Sequence, residues 1–341
     1  MPQLGPFTID HPFLLAPMAG ITHSAYRRLM RRKRSAVVIS ELISATGIEY
    51  GGQRTLDLLK FHEEERRVGL QIFGEDVDHL CLASRYVEKA GADFVDLNLG
   101  CPVPKVVKKG AGAALCRNPA QLYTILSAMV KSVKIPVTIK IRTGWDADAR
   151  NALDVVRAAC DAGVPWVAIH GRTRAQGYSG AADWEFIGNI KAKVGSSIAI
   201  IGNGDVVTAE QAVERHRIFG VDAVMIGRGA LRNPFIFEQA EALWLGHPAP
   251  TPGAEQYLGL LKQQQDILLE TFSERLATIH SRKFLAWYSS GFPGASEFRK
   301  MVFSEPDPQV LWNNAFVFFK KNTQTQDLQF LNEPFLMGGH G

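Results

Sequence analysis

Long apolar runs are missing from this 341-residue chain. None approaches the ~18 residues that a membrane-spanning helix requires, so no membrane span is expected. A basic leader with an apolar centre is missing too, and residues 1–10 do not resemble a signal peptide, which points to a cytoplasmic protein. Cysteine is scarce. The four present, Cys81, Cys101, Cys116 and Cys160, form no C-x-x-C pair and have no histidine at metal-ligand spacing. That excludes a disulfide framework and argues for no bound metal. Charge of one sign is not in large excess: 38 Lys+Arg face 34 Asp+Glu, a net +4 that says little about nucleic acid. Low-complexity tracts and long repeats are absent, and no apolar stripe argues for assembly, so a monomer is expected. What is present, 46% hydrophobic and 21% charged residues, is enough to fold, which excludes intrinsic disorder.

Short apolar, β-branched runs recur along the first part of the chain: Phe13–Ala16, Ala36–Ile39, Val68–Ile72, Phe94–Leu97, Val137–Ile141, Trp166–Ile169, Ile198–Ile201 and Ala223–Ile226. They are continuous rather than alternating, as strands covered on both faces should be. Helical segments fit between them, among them Asp76–Ala90, Pro119–Val130, Arg150–Ala162 and Ala209–Phe219. Eight uninterrupted βα units predict an α/β fold, a (β/α)8 TIM barrel over residues 1–245, in preference to an open doubly wound sheet. The stretch GHPAPTPG (246–253) is a connector. After it the pattern turns helical, with Glu255–Leu276, Lys283–Ser289, Ala295–Phe303 and Pro308–Lys320 as helices of a small all-helical domain over 254–335.

In such a barrel the chemistry lies where the strands end. The eight runs lead into Pro17-Met18, Ser40-Glu41, Gln71, Asn98-Leu99-Gly100-Cys101-Pro102, Lys140 with Arg142, His170-Gly171-Arg172, Gly202-Asn203-Gly204-Asp205 and Gly227-Arg228-Gly229. Glycines after the last two strands let backbone N–H groups approach a phosphate, and Arg228 is placed to clamp it. The plainer alternative is that these glycines only permit tight turns. Lys140 and His170 add donors for a ring carbonyl or a phosphate, Gln71 an amide that can donate and accept, and the set suggests flavin mononucleotide (FMN). Cys101 differs from the other cysteines, which sit in or beside helices and pack as small hydrophobes. It stands in a Gly-Cys-Pro turn, and an ordinary thiol is protonated at neutral pH, so it is fitted to act as a general acid.

Several segments resemble the tRNA-dihydrouridine synthase family, most closely its B-type bacterial branch. They are LAPMAGIT (15–22), VGLQIFG (68–74), DLNLGCPVPKVVKKGAGAAL (96–115), VTIKIRTGW (137–145), AIHGRTRAQGYSGAADW (168–184), IGNGDV (201–206) and VMIGRGALRNPFIF (224–237), with HSRKFLAWYSS (280–290) in the tail. The resemblance implies an FMN enzyme that uses NADPH to reduce the C5–C6 bond of uridines in the tRNA D-loop. It implies that Pro17, Met18, Gln71, Lys140, His170, Asn203, Gly204, Asp205, Gly227 and Arg228 hold FMN. Cys101 would protonate C5, and Asn98 with Arg142 would hold a uracil flipped out of the RNA.

It also makes the helical domain a tRNA-binding element, with Arg282 and Lys283 as phosphate contacts and Arg172 and Arg174 continuing the path towards the barrel. The run Arg27, Arg28, Arg31, Arg32, Lys33, Arg34 reads either as a solvated face or as a further RNA contact. Two other functions stay open at this level. One is a flavin barrel reducing a free pyrimidine or enone, which would not need the basic helical tail. The other is a non-catalytic RNA-binding barrel, which would not need Cys101.

Overall fold

The computed structural model describes residues 1–324, so the last part of the domain expected over 254–335 lies outside the described residues. The chain opens with a small antiparallel hairpin, β1 (Gln3–Leu4) and β2 (Phe7–Thr8). The eight expected strands follow. They are β3 (Phe13–Leu15), β4 (Val38–Ile39), β6 (Val68–Phe73), β7 (Phe94–Leu99), β8 (Val137–Arg142), β9 (Trp166–His170), β10 (Ala199–Asn203) and β11 (Ala223–Ile226). An extra short strand, β5 (Ile43–Ser44), continues the second strand along β6. All barrel pairs are parallel, in the order β3-β11-β10-β9-β8-β7-β6-β4. The ring closes where Leu15 N–H donates to Val37 O and Ala36 N–H to Phe13 O, both at 3.0 Å. This is the (β/α)8 barrel, followed by helices.

Side chains alternate along each strand, so one set faces the barrel axis and the other faces the surrounding helices. The lower interior is apolar. Leu14, Ile39, Phe94, Trp166, Ile201 and Met225 form a buried cluster there with Leu4 and Ile9 from the opening hairpin. Phe94 meets Trp166 edge-on at 5.0 Å between ring centres, and Phe7 of the hairpin lies 5.8 Å from Trp166. The hairpin therefore plugs the floor. Gly69 faces this packing because a Cβ there would fall 2.1 Å from the Phe94 ring.

Beyond the connector stand helices Ala254–Thr271, Glu274–Tyr288, Ala295–Ser304 and Pro308–Gln324. One expectation is corrected here: Glu255–Leu276 is not one helix. It ends at Thr271, and Phe272 turns extended (φ −128°, ψ 158°). The Phe272 ring thereby stacks on His280 at 4.7 Å and meets His23 at 5.1 Å, packing that no helical pattern reveals.

The basic run is corrected as well. Arg27 and Arg28 are buried, Arg32 and Arg34 are exposed, and each basic side chain of the run already has an acceptor. Arg27 pairs with Glu65 at 2.5 Å, both buried, and Arg28 reaches Glu64 and Glu270 at 3.1 and 2.7 Å. Arg31 donates to Ala36 O at 2.9 Å, and Arg32 to Glu64 at 2.8 Å. Lys33 lies 3.6 Å from Glu238, and Arg34 donates to Glu241 at 2.7 Å. The run joins the first helix, Ser24–Arg32, to its neighbours, including the helical segment through Glu270.

Candidate active site

The upper barrel interior is polar because the inward positions of adjacent strands carry polar residues in register. Gln71 pairs with Asp96, Asp96 with Thr138, Asn98 with Lys140, Arg142 with His170, and His170 with Asn203. Four of them, Gln71, Asp96, Thr138 and Asn98, are joined in a chain. Gln71 Nε2–H donates to Asp96 Oδ2 at 2.6 Å, and Thr138 Oγ–H donates to Asp96 Oδ1 at 2.7 Å. Asn98 Nδ2–H donates to Gln71 Oε1 at 2.9 Å. Asn98 Oδ1 in turn accepts the N–H of Cys101 at 2.9 Å and of Gly100 at 3.2 Å. Both amide oxygens are thus engaged, while each amide nitrogen keeps one hydrogen. The pair offers donors, which suits carbonyl groups of a ligand.

Burial raises the Asp96 carboxyl, against the bonds from Gln71 and Thr138 and the charge of Lys140. The ammonium of Lys140 is lowered to about 8 by burial and by Arg142, with Asp96 opposing. Asp96 escaped the sequence reading, although the alternation Phe94, Asp96, Asn98 carried the signal. Asp96→Asn should lower FMN occupancy and cut turnover about 10- to 100-fold. A misoriented amide chain with one buried group unpaired costs about 1–3 kcal/mol. Flavin absorbance of the purified variant and its steady-state rate check this.

Cys101 is 9% exposed, and its thiol is raised by burial, with a backbone bond and Arg142 opposing. It is therefore protonated at neutral pH. Arg142 Nε–H donates to Gly100 O at 2.9 Å, while its Nη1 donates to Thr173 O at 2.9 Å and Gly177 O at 2.7 Å. Arg142 is consequently a strut that ties the loops after β7 and β9 together. The cysteine loop closes over Gly112 at φ +61°, where a Cβ would come 3.1 Å from Cys101 O.

The far side of the mouth is built by β9–β11. Arg172 grips Asp205 with two bonds of 2.8 Å and also donates to Ser179 O at 3.1 Å and Gly180 O at 2.5 Å. Burial would raise the Asp205 carboxyl, but the bonds from Arg172 and from Ala182 N–H hold it below its usual range. Asp205 itself takes φ +50°. Gly204, at φ +127°, leaves no room for a Cβ, which would fall 2.6 Å from Ala182 Cβ. Gly227 lies against Ala16 and Met18, next to Pro17. Arg228 stands 3.9 Å from Asp205, and its guanidinium lies 4.6 Å from the ring centre of Tyr178. Burial, then the charges of Lys140, Arg142, Arg172 and Arg228, hold His170 well below its usual range. A neutral imidazole whose Nε2 faces Arg172 Nη1 at 3.4 Å accepts there and carries its proton on Nδ1.

The mouth therefore gathers Met18, Gln71, Asn98, Cys101, Lys140, Arg142, His170, Arg172, Asn203, Gly204, Asp205, Gly227 and Arg228 from all parts of the barrel. Arg282 and Lys283 lie on the helix Glu274–Tyr288, where Arg282 donates to Glu305 O at 2.6 Å and the charge of Lys283 acts on Glu41 at the end of the second strand. Besides Asp96 and Thr138, the sequence reading passed over Tyr178, exposed at the rim between Arg142 and Arg228. A broader hollow of about 660 Å³, lined by Glu185, Asn189, Lys191 and Arg217, lies on the outer helices and contains none of these groups.

Known proteins are similar to this chain both in fold and in sequence. The fold is similar to that of Eimeria tenella DHODH in complex with ferulenol, with a TM-score of 0.55 at 14% identity over 72% of this chain and 83% of that one. It is also similar to histamine dehydrogenase from Rhizobium sp. 4-9, with a TM-score of 0.56 at 10% identity over 78% of this chain and 50% of that one. In sequence the chain is 36% identical to tRNA-dihydrouridine synthase B of Pseudomonas putida, over 96% of this chain and 97% of the relative. It is 38% identical to tRNA-dihydrouridine synthase B of Xanthomonas campestris, over 90% and 92% of the two chains. The family model described as "Dihydrouridine synthase (Dus)" matches residues 14–324, which take in every strand of the barrel except its opening hairpin and part of β3, and the described helices of the tail. With its cysteine turn and amide chain inside that match, the chain belongs to the dihydrouridine synthase family, in its B-type branch.

Proposed function

We infer that the protein is an FMN-dependent oxidoreductase that converts uridine to dihydrouridine in tRNA, with NADPH as reductant and Cys101 as the proton donor. The observation that carries this reading is a buried, protonated thiol on a turn whose backbone N–H is held by Asn98, at the rim of a polar, cation-rich barrel mouth. Family membership supplies the reaction class.

The residues at the mouth fit FMN. Gly204 admits no side chain, Gly227 is bare beside Met18, and Arg228 and the neutral His170 offer donors for a phosphate. Gln71 and Lys140 offer donors for ring carbonyls, and Asn203 and Asp205 hold the loop geometry around them. When bound and reduced, FMN supplies the hydride that the C6 position of uracil receives. The remaining work falls to this chain's own side chains. Asn98 offers an N–H to a uracil carbonyl, Arg142 fixes the loop that carries Cys101, and the Cys101 thiol gives its proton to C5. Lys140 offers positive charge beside the ring system. On this reading residues 1–245 form the catalytic barrel and the helices from 254 onward bind tRNA. Arg282 and Lys283 are the proposed contacts along that path; Arg172, expected to continue it, is buried with its guanidinium held by Asp205 and fixes the loop instead. The protein would act as a monomer in the cytoplasm, and among the described residues no helix is long and apolar enough to cross a membrane.

The direct test is to incubate the protein with NADPH and unmodified tRNA, digest the RNA and weigh its nucleosides. Dihydrouridine is the expected product. NADPH consumption without it would move the assignment to a free pyrimidine or enone. A pH profile tests Lys140. Its ammonium is the useful form and is lost as pH rises through about 8. Activity should therefore fall on that alkaline limb while Cys101, raised by burial, keeps its proton. Lys140→Arg should carry the limb to higher pH; a limb that does not move removes Lys140 from the reaction.

A further inference from the structure

Most basic side chains around the mouth already have acceptors: Arg142 holds backbone carbonyls, Arg172 holds Asp205, and the arginines of the first helix hold glutamates. Two guanidiniums differ. Arg117 ends the turn Gly112–Arg117 that follows the cysteine loop, and Arg174 lies in the loop after β9. Their guanidinium carbons stand 4.8 and 4.5 Å from the ring centre of Trp145, just beyond β8. Neither has a carboxylate partner among the described residues, and Arg174 Nε is buried with no acceptor. An aromatic face orients a guanidinium without neutralising it, so both charges remain available to an anion.

The loops that carry them are tied together. Arg174 N–H donates to Gly144 O at 2.8 Å, Ala175 N–H to Trp145 O at 2.9 Å, and Asn151 Nδ2–H to Cys116 O at 2.7 Å. Beside them lies a hollow of about 390 Å³ lined by Cys116, Arg117, Trp145, Asp146 and Asn151. The one carboxylate in its lining, Asp146, turns to its own loop, accepting the N–H of Ala149 at 3.0 Å and of Asp148 at 3.1 Å.

Position matters most. The helical segment packs against the first helix and the short turn Gly229–Arg232, which flank β3 and β11. In the closed ring β8 lies opposite β3. Trp145 and its two arginines therefore stand across the mouth from the helices. A nucleotide extruded into the mouth leaves backbone on both sides of it, and one-sided attachment would let that strand swing. We propose that Arg117 and Arg174, seated on Trp145, bind phosphodiester groups of the RNA strand on the side of the mouth opposite the helical segment. The proposal rests on the RNA reading above.

Fluorescence anisotropy of a labelled, unmodified tRNA transcript against the full chain, at several salt concentrations, tests it. Arg117→Gln and Arg174→Gln should each weaken binding about 5- to 10-fold. Each should flatten the salt dependence by about 0.7–0.9 in log–log slope, and the double variant by about twice that. KM for tRNA should rise with kcat retained, and FMN content should stay at the wild-type level. The double Arg→Lys variant keeps the charges and should recover most of the slope. If the Gln double variant binds with wild-type affinity and slope, or if Lys does no better than Gln, the proposal falls. If the wild-type protein itself does not bind tRNA, the RNA reading fails first.

Discussion

Cys101→Ala is expected to keep its flavin and its capacity to oxidise NADPH but to lose uridine reduction by about 10²- to 10⁴-fold, the range that positioned proton transfer supplies. The local structure supports a clean result. The Asn98 bond reaches the backbone N–H of residue 101 rather than the thiol, so the turn survives loss of sulfur. The site is nearly closed, and an alanine there removes volume and a single backbone bond, that of Val103, which lies on an exposed turn. Two measurements separate the steps: NADPH oxidation without tRNA, and dihydrouridine formed per unit time with it. Undiminished dihydrouridine formation would take the proton-donor role from Cys101. Cys116 makes the appropriate control. It lies in the turn behind the loop, its thiol is pushed up to about 12 by burial, and it donates to Leu99 O at 3.5 Å. Cys116→Ala should affect stability rather than chemistry.

Arg27→Met is expected to destabilise the fold by about 3–5 kcal/mol, the cost of leaving a buried charge without its partner. Glu65 is fully buried and receives Arg27 Nε–H at 2.5 Å, His62 N–H at 2.8 Å and the Ser24 hydroxyl. Arg27 Nη1 also donates to Thr22 O at 2.6 Å, so the same guanidinium holds the loop that follows β3. Urea unfolding reads the loss as a shift of midpoint at unchanged slope. The double variant Arg27→Met with Glu65→Leu should recover part of it, because no charge is left buried alone, while His62 N–H, the Ser24 hydroxyl and Thr22 O still lose their partners. A loss below about 1 kcal/mol in the single variant would mean that the pair behaves as a surface ion pair. Arg32, part-exposed against Glu64, is expected to show that small value.

The two variants mark where sequence reading reaches and where it stops. Strands covered on both faces must be apolar throughout, so all eight barrel strands were legible as runs. Residues at strand ends converge in any closed parallel barrel, so the rim set was legible as well, Cys101 included. Asp96 was missed because a carboxylate between Val95 and Leu97 reads as an interruption until the strand's alternation places it inward, beside Gln71 and Thr138. Phe272 was missed because its partners, His23 and His280, come from separate segments.

The eight βα units and the strand-end residues determined by themselves a (β/α)8 barrel with a cysteine at its mouth, and the ordered motifs added the resemblance that implied a flavin. Those features are local, since strand burial and turn chemistry act over a few residues. The tertiary structure alone decided what each charge does. A guanidinium's role depends on which acceptor lies within about 3 Å, and that acceptor commonly belongs to a distant segment. So Arg27 and Arg28 were spent on Glu65, Glu64 and Glu270, and Arg172 on Asp205. Arg117 and Arg174, which no motif singled out as a pair, were brought together on one indole with their charge unspent.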